Sequence, residues 1–212
     1  MTLPLPLRNR LAELILDAFR ERDARSVLGA LGRYCQEGLV SAAALPSGFP
    51  VEFFDQRNGR LALKGAYGAF RDELCERVRR AWSVVKEWPA SGHDLSLGQA
   101  LEQAAALFDV RLDFEVHELL EPFWVAAQGP VREALQGFIQ VAVGYHHLAS
   151  GNVAGARSLL AEGSARLRGQ RLAELDLDLF AQAVQRSLDA VDRPEASGKF
   201  DWSLVPPFPR LR

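Results

Sequence analysis

His117-Glu118-Leu119-Leu120-Glu121 sets an imidazole and a carboxylate four residues apart, with a second carboxylate between them. On a helix, positions four apart share a face, and the run has the spacing of the zinc motif H-E-x-x-H with Glu in the last ligand place. His117 and Glu121 are therefore candidate ligands for a divalent transition metal, with Glu118 the candidate general base of a metal-dependent hydrolase. A third ligand has to come from His147 or His146. The dinuclear carboxylate site of ferritin-like bundles needs Glu on four helices; the helix that follows here offers none along Ala134 to Ser150, so that version is set aside.

The elements that must position these groups are helices. From Ala134 to Ser150 there is no Asp, Glu, Lys or Arg, and apolar residues occur on every face, as in the buried central helix of a bundle. The run is shorter than a membrane span of ~18 to 20 apolar residues and carries glutamines and histidines, so no membrane association is expected. At about 100° per residue, Gln136, Gln140 and His147 fall in a stripe roughly 40° wide. The preceding helix has Leu112, Val116, Leu119, Leu120 and Phe123 on its apolar face, bordered by Asp113, His117, Glu121 and Trp124. An unpaired buried polar group costs on the order of 1–3 kcal/mol, and short connections favour antiparallel neighbours. The stripe is thus expected to meet that border, so that His117, Glu121, Gln136, Gln140 and His147 form one satisfied network that fixes helix register. On this reading His117→Ala costs a few kcal/mol, Trp124 is packing, and Glu115 and Glu118 lie on a solvated face. His93 and His146 have no constellation around them. Phe114, on the polar side of its helix, motivates a homodimer.

The fold class is mainly α: a C-terminal five-helix bundle preceded by a helical segment with one short β-hairpin. Helices are expected from Leu7 to Phe19, after a cap at Asp23, and from about Ala66 to Glu87 with Phe70, Leu74, Val78 and Trp82 on one side. Val51 to Phe54 and Leu61 to Leu63, joined through Asn58-Gly59, read as the hairpin. Trp88 to Gly92 marks a boundary. The second half reads as helices at about 97–109, 111–127, 131–149, 153–168 and 171–191, with Pro130 in a first turn and Gly151-Asn152 at a break. The domains are then 1–90, 96–193 and a tail, 194–212. The Pro- and aromatic-rich tail suits an extended strap or a partner-binding segment.

The chain has 212 residues, of which 48% are hydrophobic and 25% charged, enough to bury a core. Residues 1–95 carry 14 Lys/Arg against 12 Asp/Glu and residues 96–212 carry 11 against 15, so no global field draws the chain onto nucleic acid. Two helices followed by a hairpin also suit a winged-helix-like DNA-binding segment, but the stretch before the hairpin is not visibly basic. Cys35 and Cys75 have no metal-site spacing and read as reduced thiols, which with the proline-broken N-terminus gives a cytoplasmic expectation.

Leu107-Phe108-Asp109, Phe114 through Trp124, Gln136 through Ala142 with His147-Leu148, and Gly151-Asn152-Val153-Ala154-Gly155-Ala156, taken in order, resemble the domain-of-unknown-function family numbered 309, over about residues 98–170. The resemblance implies a small all-helical domain with no assigned activity. It points to Glu115, His117, Glu118, Glu121 and Trp124 on one helix, Gln136, Gln140 and His147 on the next, and Gly151, Asn152 and Gly155 at the following break. Gly155 and Ala156 are expected to permit close helix contact, and Pro122 to bend its helix. The leading expectation is a non-enzymatic helical binding protein with a buried His/Glu/Gln network. The alternative is the metal-dependent hydrolase centred on His117, Glu118, Glu121 and His147.

Overall fold

The computed structural model describes residues 2–89, 94–192 and 200–211; His93, most of the expected Trp88 to Gly92 boundary and the start of the tail lie outside them. The chain is mainly α, with eight α-helices among the described residues, and divides into two compact units, Met1–Leu95 and Ser96–Arg212. No helix is long and apolar enough to cross a membrane among the described residues.

The first unit is built on α1 (Leu5–Ala18), α2 (Arg22–Glu37) and α3 (Arg71–Val85). Leu11, Ile15, Leu28, Leu31, Leu74 and Val78 are buried at helical spacing and form its core. Asp23 lies in the first turn of α2 and makes no cap, since α2 starts one residue earlier. Asn58 (φ 50°) and Gly59 (φ 72°) close the hairpin of β2 (Phe54–Arg57) and β3 (Arg60–Leu63), the left-handed pair that a tight two-residue turn requires. Val51–Phe53, expected as strand, is a 3-10 turn, and a short β1 (Val40–Ser41) adds a third strand in the order β1-β3-β2. Between β1 and β2 the chain forms only 3-10 turns, where a winged helix would place its recognition helix.

Cys35 of α2 and Cys75 of α3 form a disulfide, with 5.3 Å between Cα atoms. The expectation of reduced thiols is overturned. The sequence separation of 40 hid a pair that only the packing of α2 on α3 brings together, and that ground for a cytoplasmic placement goes with it.

The second unit holds α4 (Leu97–Asp109), α5 (Asp113–Ala126), α6 (Gly129–Ala149), α7 (Val153–Leu167) and α8 (Asp178–Asp192). Ser96 and Gln99 form a capping box that starts α4. The expected helix from 171 begins later, because Arg171–Leu172 and Leu175–Asp176 pair as β4 and β5. Their turn uses Ala173 at φ 52°, a place that usually takes glycine. α6 is central, with Ala134, Leu135, Phe138, Val141, Ala142 and Tyr145 at 0% exposure.

α6 and α7 approach closely because glycines face one another. A Cβ on Gly137 or Gly144 would lie 2.7 or 2.8 Å from the side chain of Leu167 or Leu160, and one on Gly163 would lie 2.9 Å from the Gly137 carbonyl oxygen. These three permit the contact, not Gly155, whose added Cβ would meet Asn152 of the adjoining cap. The tail is a strap on its own unit. Phe208 stacks on Phe138 at 4.6 Å between centroids and touches Phe108 and Phe180, while Arg210 pairs with Asp109 and Glu102.

Candidate functional site

α5 presents the expected site residues on two different surfaces. Leu112, Val116, Leu119 and Leu120 are buried as expected, which turns His117 and Glu118 to the half-buried margin and Glu121 to solvent. His117 Nδ1 donates to Glu118 Oε1 at 3.1 Å, and one potential ligand atom from each of His117, Glu118 and Glu121 lies within 4.8 Å of the others. Ligand atoms on a tetrahedral zinc with ~2.0–2.1 Å bonds stand roughly 3.4 Å apart, so the three would have to draw closer together to hold an ion. His147 is not part of that group.

The polar stripe on α6 turns to α7 instead of α5. Gln140 Nε2 donates to Glu162 at 2.9 Å, and Asn152 Nδ2 donates to His147 Nδ1 at 2.7 Å while Asn152 Oδ1 accepts from the Gly155 N–H and caps α7. The reason lies in the glycines: Gly137 and Gly144 sit next to the stripe on the helical wheel, and the face without Cβ atoms is the one α7 covers. Gln136 is half-buried and its side chain makes no hydrogen bond among the described residues. The single network expected of His117, Glu121, Gln136, Gln140 and His147 is thus a set of separate pairs, and neither Gln140 Oε1 nor Trp124 Nε1 has a hydrogen-bond partner among the described residues.

Toward α5, α6 offers His146, whose ring lies 5.9 Å from that of Phe114; Phe114 also touches His117 at 6.1 Å. Phe114 is buried inside its unit, which removes it as the mark of a dimer face. Glu115 is fully buried at 0% exposure, the reverse of a solvated carboxylate. Trp124 packs under the Arg132 guanidinium at 4.2 Å, and Arg132 Nη1 donates to the Trp124, Val125 and Ala127 carbonyls, closing the C-terminus of α5. α5 runs on through Pro122 to Ala126.

A second constellation escaped the sequence. Arg111, between α4 and α5, has φ 63° where a helix C-terminus normally takes glycine. Its guanidinium lies 4.1 Å from the Trp202 ring centroid and 5.5 Å from that of Tyr145, and Nη2 donates to Asp113 at 3.2 Å. The Tyr145 hydroxyl donates to Ser187 Oγ at 2.5 Å, which in turn donates to the Val184 carbonyl. Burial pushes the Tyr145 phenol up to about 12, against the opposing pull of Ser187 and Arg111. Beside Arg111, a cavity of about 270 Å³ is bounded by Phe108, Trp202 and Pro206. Nothing in the sequence marked Arg111, because its positive φ is visible only in the fold.

Residues 101–159 match the family described as a domain of unknown function, DUF309. The matched span runs from α4 into α7 and includes every expected site residue from Glu115 to His147, and Gly151, Asn152 and Gly155, but neither the first unit nor the tail. No curated protein and no solved structure matches the chain.

Proposed function

We propose that the protein is a non-enzymatic helical binding protein, in which Gln140, His147 and Asn152 of the DUF309 span serve the packing of α6 on α7. The observation that carries this reading is the engagement of His147. The sequence offers His147 or His146 as the third ligand of a metal-dependent hydrolase on α5, yet His147 Nδ1 accepts from Asn152 at the α6–α7 turn, and the same asparagine caps α7. Gln140 is likewise held by Glu162, so the stripe locks two helices together.

The second reading, a divalent-metal hydrolase centred on His117, Glu118 and Glu121, draws its support from the convergence of those three side chains within 4.8 Å. With His117 and Glu121 as ligands, Glu118, already accepting from His117, would orient the imidazole, as outer carboxylates do for metal-bound histidines. Elemental analysis of protein purified without chelator or affinity metal, run beside His117→Ala, separates the two. The binding reading expects no stoichiometric metal in either. One equivalent of a transition metal in the native chain, lost in the variant, overturns it in favour of the hydrolase.

A further inference from the structure

Positions 25, 29, 32, 33 and 36 recur on one face of α2 at helical spacing and, with Trp82 of α3 and the 43–46 segment, line an open groove of about 750 Å³ in the first unit. Arg25 and Arg33 are eight residues apart, roughly 12 Å along the axis at 1.5 Å per residue. The groove has no carboxylate among its lining residues. Arg25 Nε donates to the Ala18 carbonyl, which holds its guanidinium without neutralising it, and Arg33 is exposed, with no hydrogen bond or ion pair among the described residues.

Between these cations the floor is smooth. An added Cβ at Gly32 would meet nothing within 4 Å, so the space above that position is open. At Gly29 the Trp82 ring edge would lie 3.3 Å from such a Cβ, and the indole, at 37% exposure, rests across α2 beside the groove. Ala43, Ala44, Leu45 and Pro46 supply an apolar opposite wall. Two unneutralised cations flanking an apolar, Cβ-free centre favour a ligand whose charge sits at its ends and whose middle is apolar.

We infer that this groove binds an acidic peptide segment with two carboxylates about 12 Å apart and an apolar residue between them, laid over Gly32 against Trp82. An extended chain advances ~3.3 Å per residue, so acidic residues four apart meet the spacing. The inference rests on the binding-protein reading and names its partner class.

Fluorescence anisotropy of a labelled Glu-Ala-Leu-Ala-Glu peptide against the full chain tests it, with Lys-Ala-Leu-Ala-Lys as the charge-reversed control. Gly32→Leu fills the groove from a position with free space above it, and Arg33→Glu reverses a cation that supports nothing in the fold. Each is expected to weaken the acidic peptide by about tenfold or more with the thermal midpoint unchanged, while the basic peptide fails to bind. Equal binding of the two peptides, or acidic-peptide binding indifferent to both variants, overturns the groove assignment. So does a dimer by light scattering that Gly32→Leu abolishes, because the occupant is then a second copy. None of these outcomes touches the binding-protein reading, which falls only to stoichiometric metal dependent on His117.

Discussion

The two units hold their helices together by opposite means. The first joins α2 to α3 covalently through Cys35 and Cys75 and leaves an open groove between Gly29, Gly32 and Trp82. The second fills its centre with Phe108, Phe138, Phe180 and Phe208 and brings α6 against α7 over glycines. A disulfide constrains the unfolded chain and tolerates imperfect packing beside it, whereas close helix contact demands complementarity along its whole length. The glycines show the contrast in small: Gly32 faces open space, while Gly163 faces backbone. The open surface belongs to the first unit, and the close packing to the family-matched one.

Removing the disulfide gives the largest break in that comparison. Closing a loop of 40 residues by a cross-link is worth about 4 kcal/mol in the chain-entropy account. Cys35→Ser with Cys75→Ser, or reduction of the native chain, is expected to lower stability by that order. Hydrogen exchange should quicken in α2 and α3 and stay unchanged in α6 and α7; equal quickening in all four would erase the distinction. Gly163→Leu is the matching break in the second unit, since its side chain must displace the Gly137 carbonyl and Val141. Overpacking of this kind costs about 3 kcal/mol, and urea denaturation should show that loss with or without reductant.

Much of the second unit was legible because its strongest signal is an absence. The charge-free run from Ala134 to Ser150 can only be a buried helix, and α6 is that helix. Which helix covers which of its faces was not legible, because hydropathy treats glycine as a weak residue and misses that Gly137 and Gly144 are where a neighbour comes closest. Glu115 was misread for a related reason: a carboxylate counts as solvated until its surroundings are known. The hairpin through Ala173 was hidden by the lack of a turn glycine, and the disulfide by its long separation. On α5, the grouping of His117, Glu118 and Glu121 needed only helical geometry, whereas the fate of His147 depended on Asn152.

Tyr145 sharpens the picture of the closely packed unit through pH. Burial disfavours the phenolate and pushes its folded pKa up to about 12, from the ordinary tyrosine value of about 10. The folded state therefore holds this proton more tightly, and the stability linked to it is complete below pH 10 and is lost as pH rises through about 12. Two pH units correspond to about 2–3 kcal/mol at 1.36 kcal/mol each. Urea midpoints between pH 9 and 12 should fall along this course in the native chain and fall less in Tyr145→Phe. Parallel curves for the two proteins would remove Tyr145 as the cause.

The smallest effect is the most informative about function. His117 is 26% exposed at its side chain and bonds to a neighbour on its own helix, so it bridges no two elements, and its loss strands no deeply buried partner. His117→Ala is therefore expected to cost less than about 1 kcal/mol, below the few kcal/mol that membership of a buried network would imply. A loss of about 3 kcal/mol by chemical denaturation would restore His117 to the packing of the unit and set it beside Tyr145. The expected small loss instead leaves a half-exposed imidazole with two carboxylates nearby and little structural duty. In that case the metal analysis of the same variant alone decides whether this surface of α5 is chemically idle.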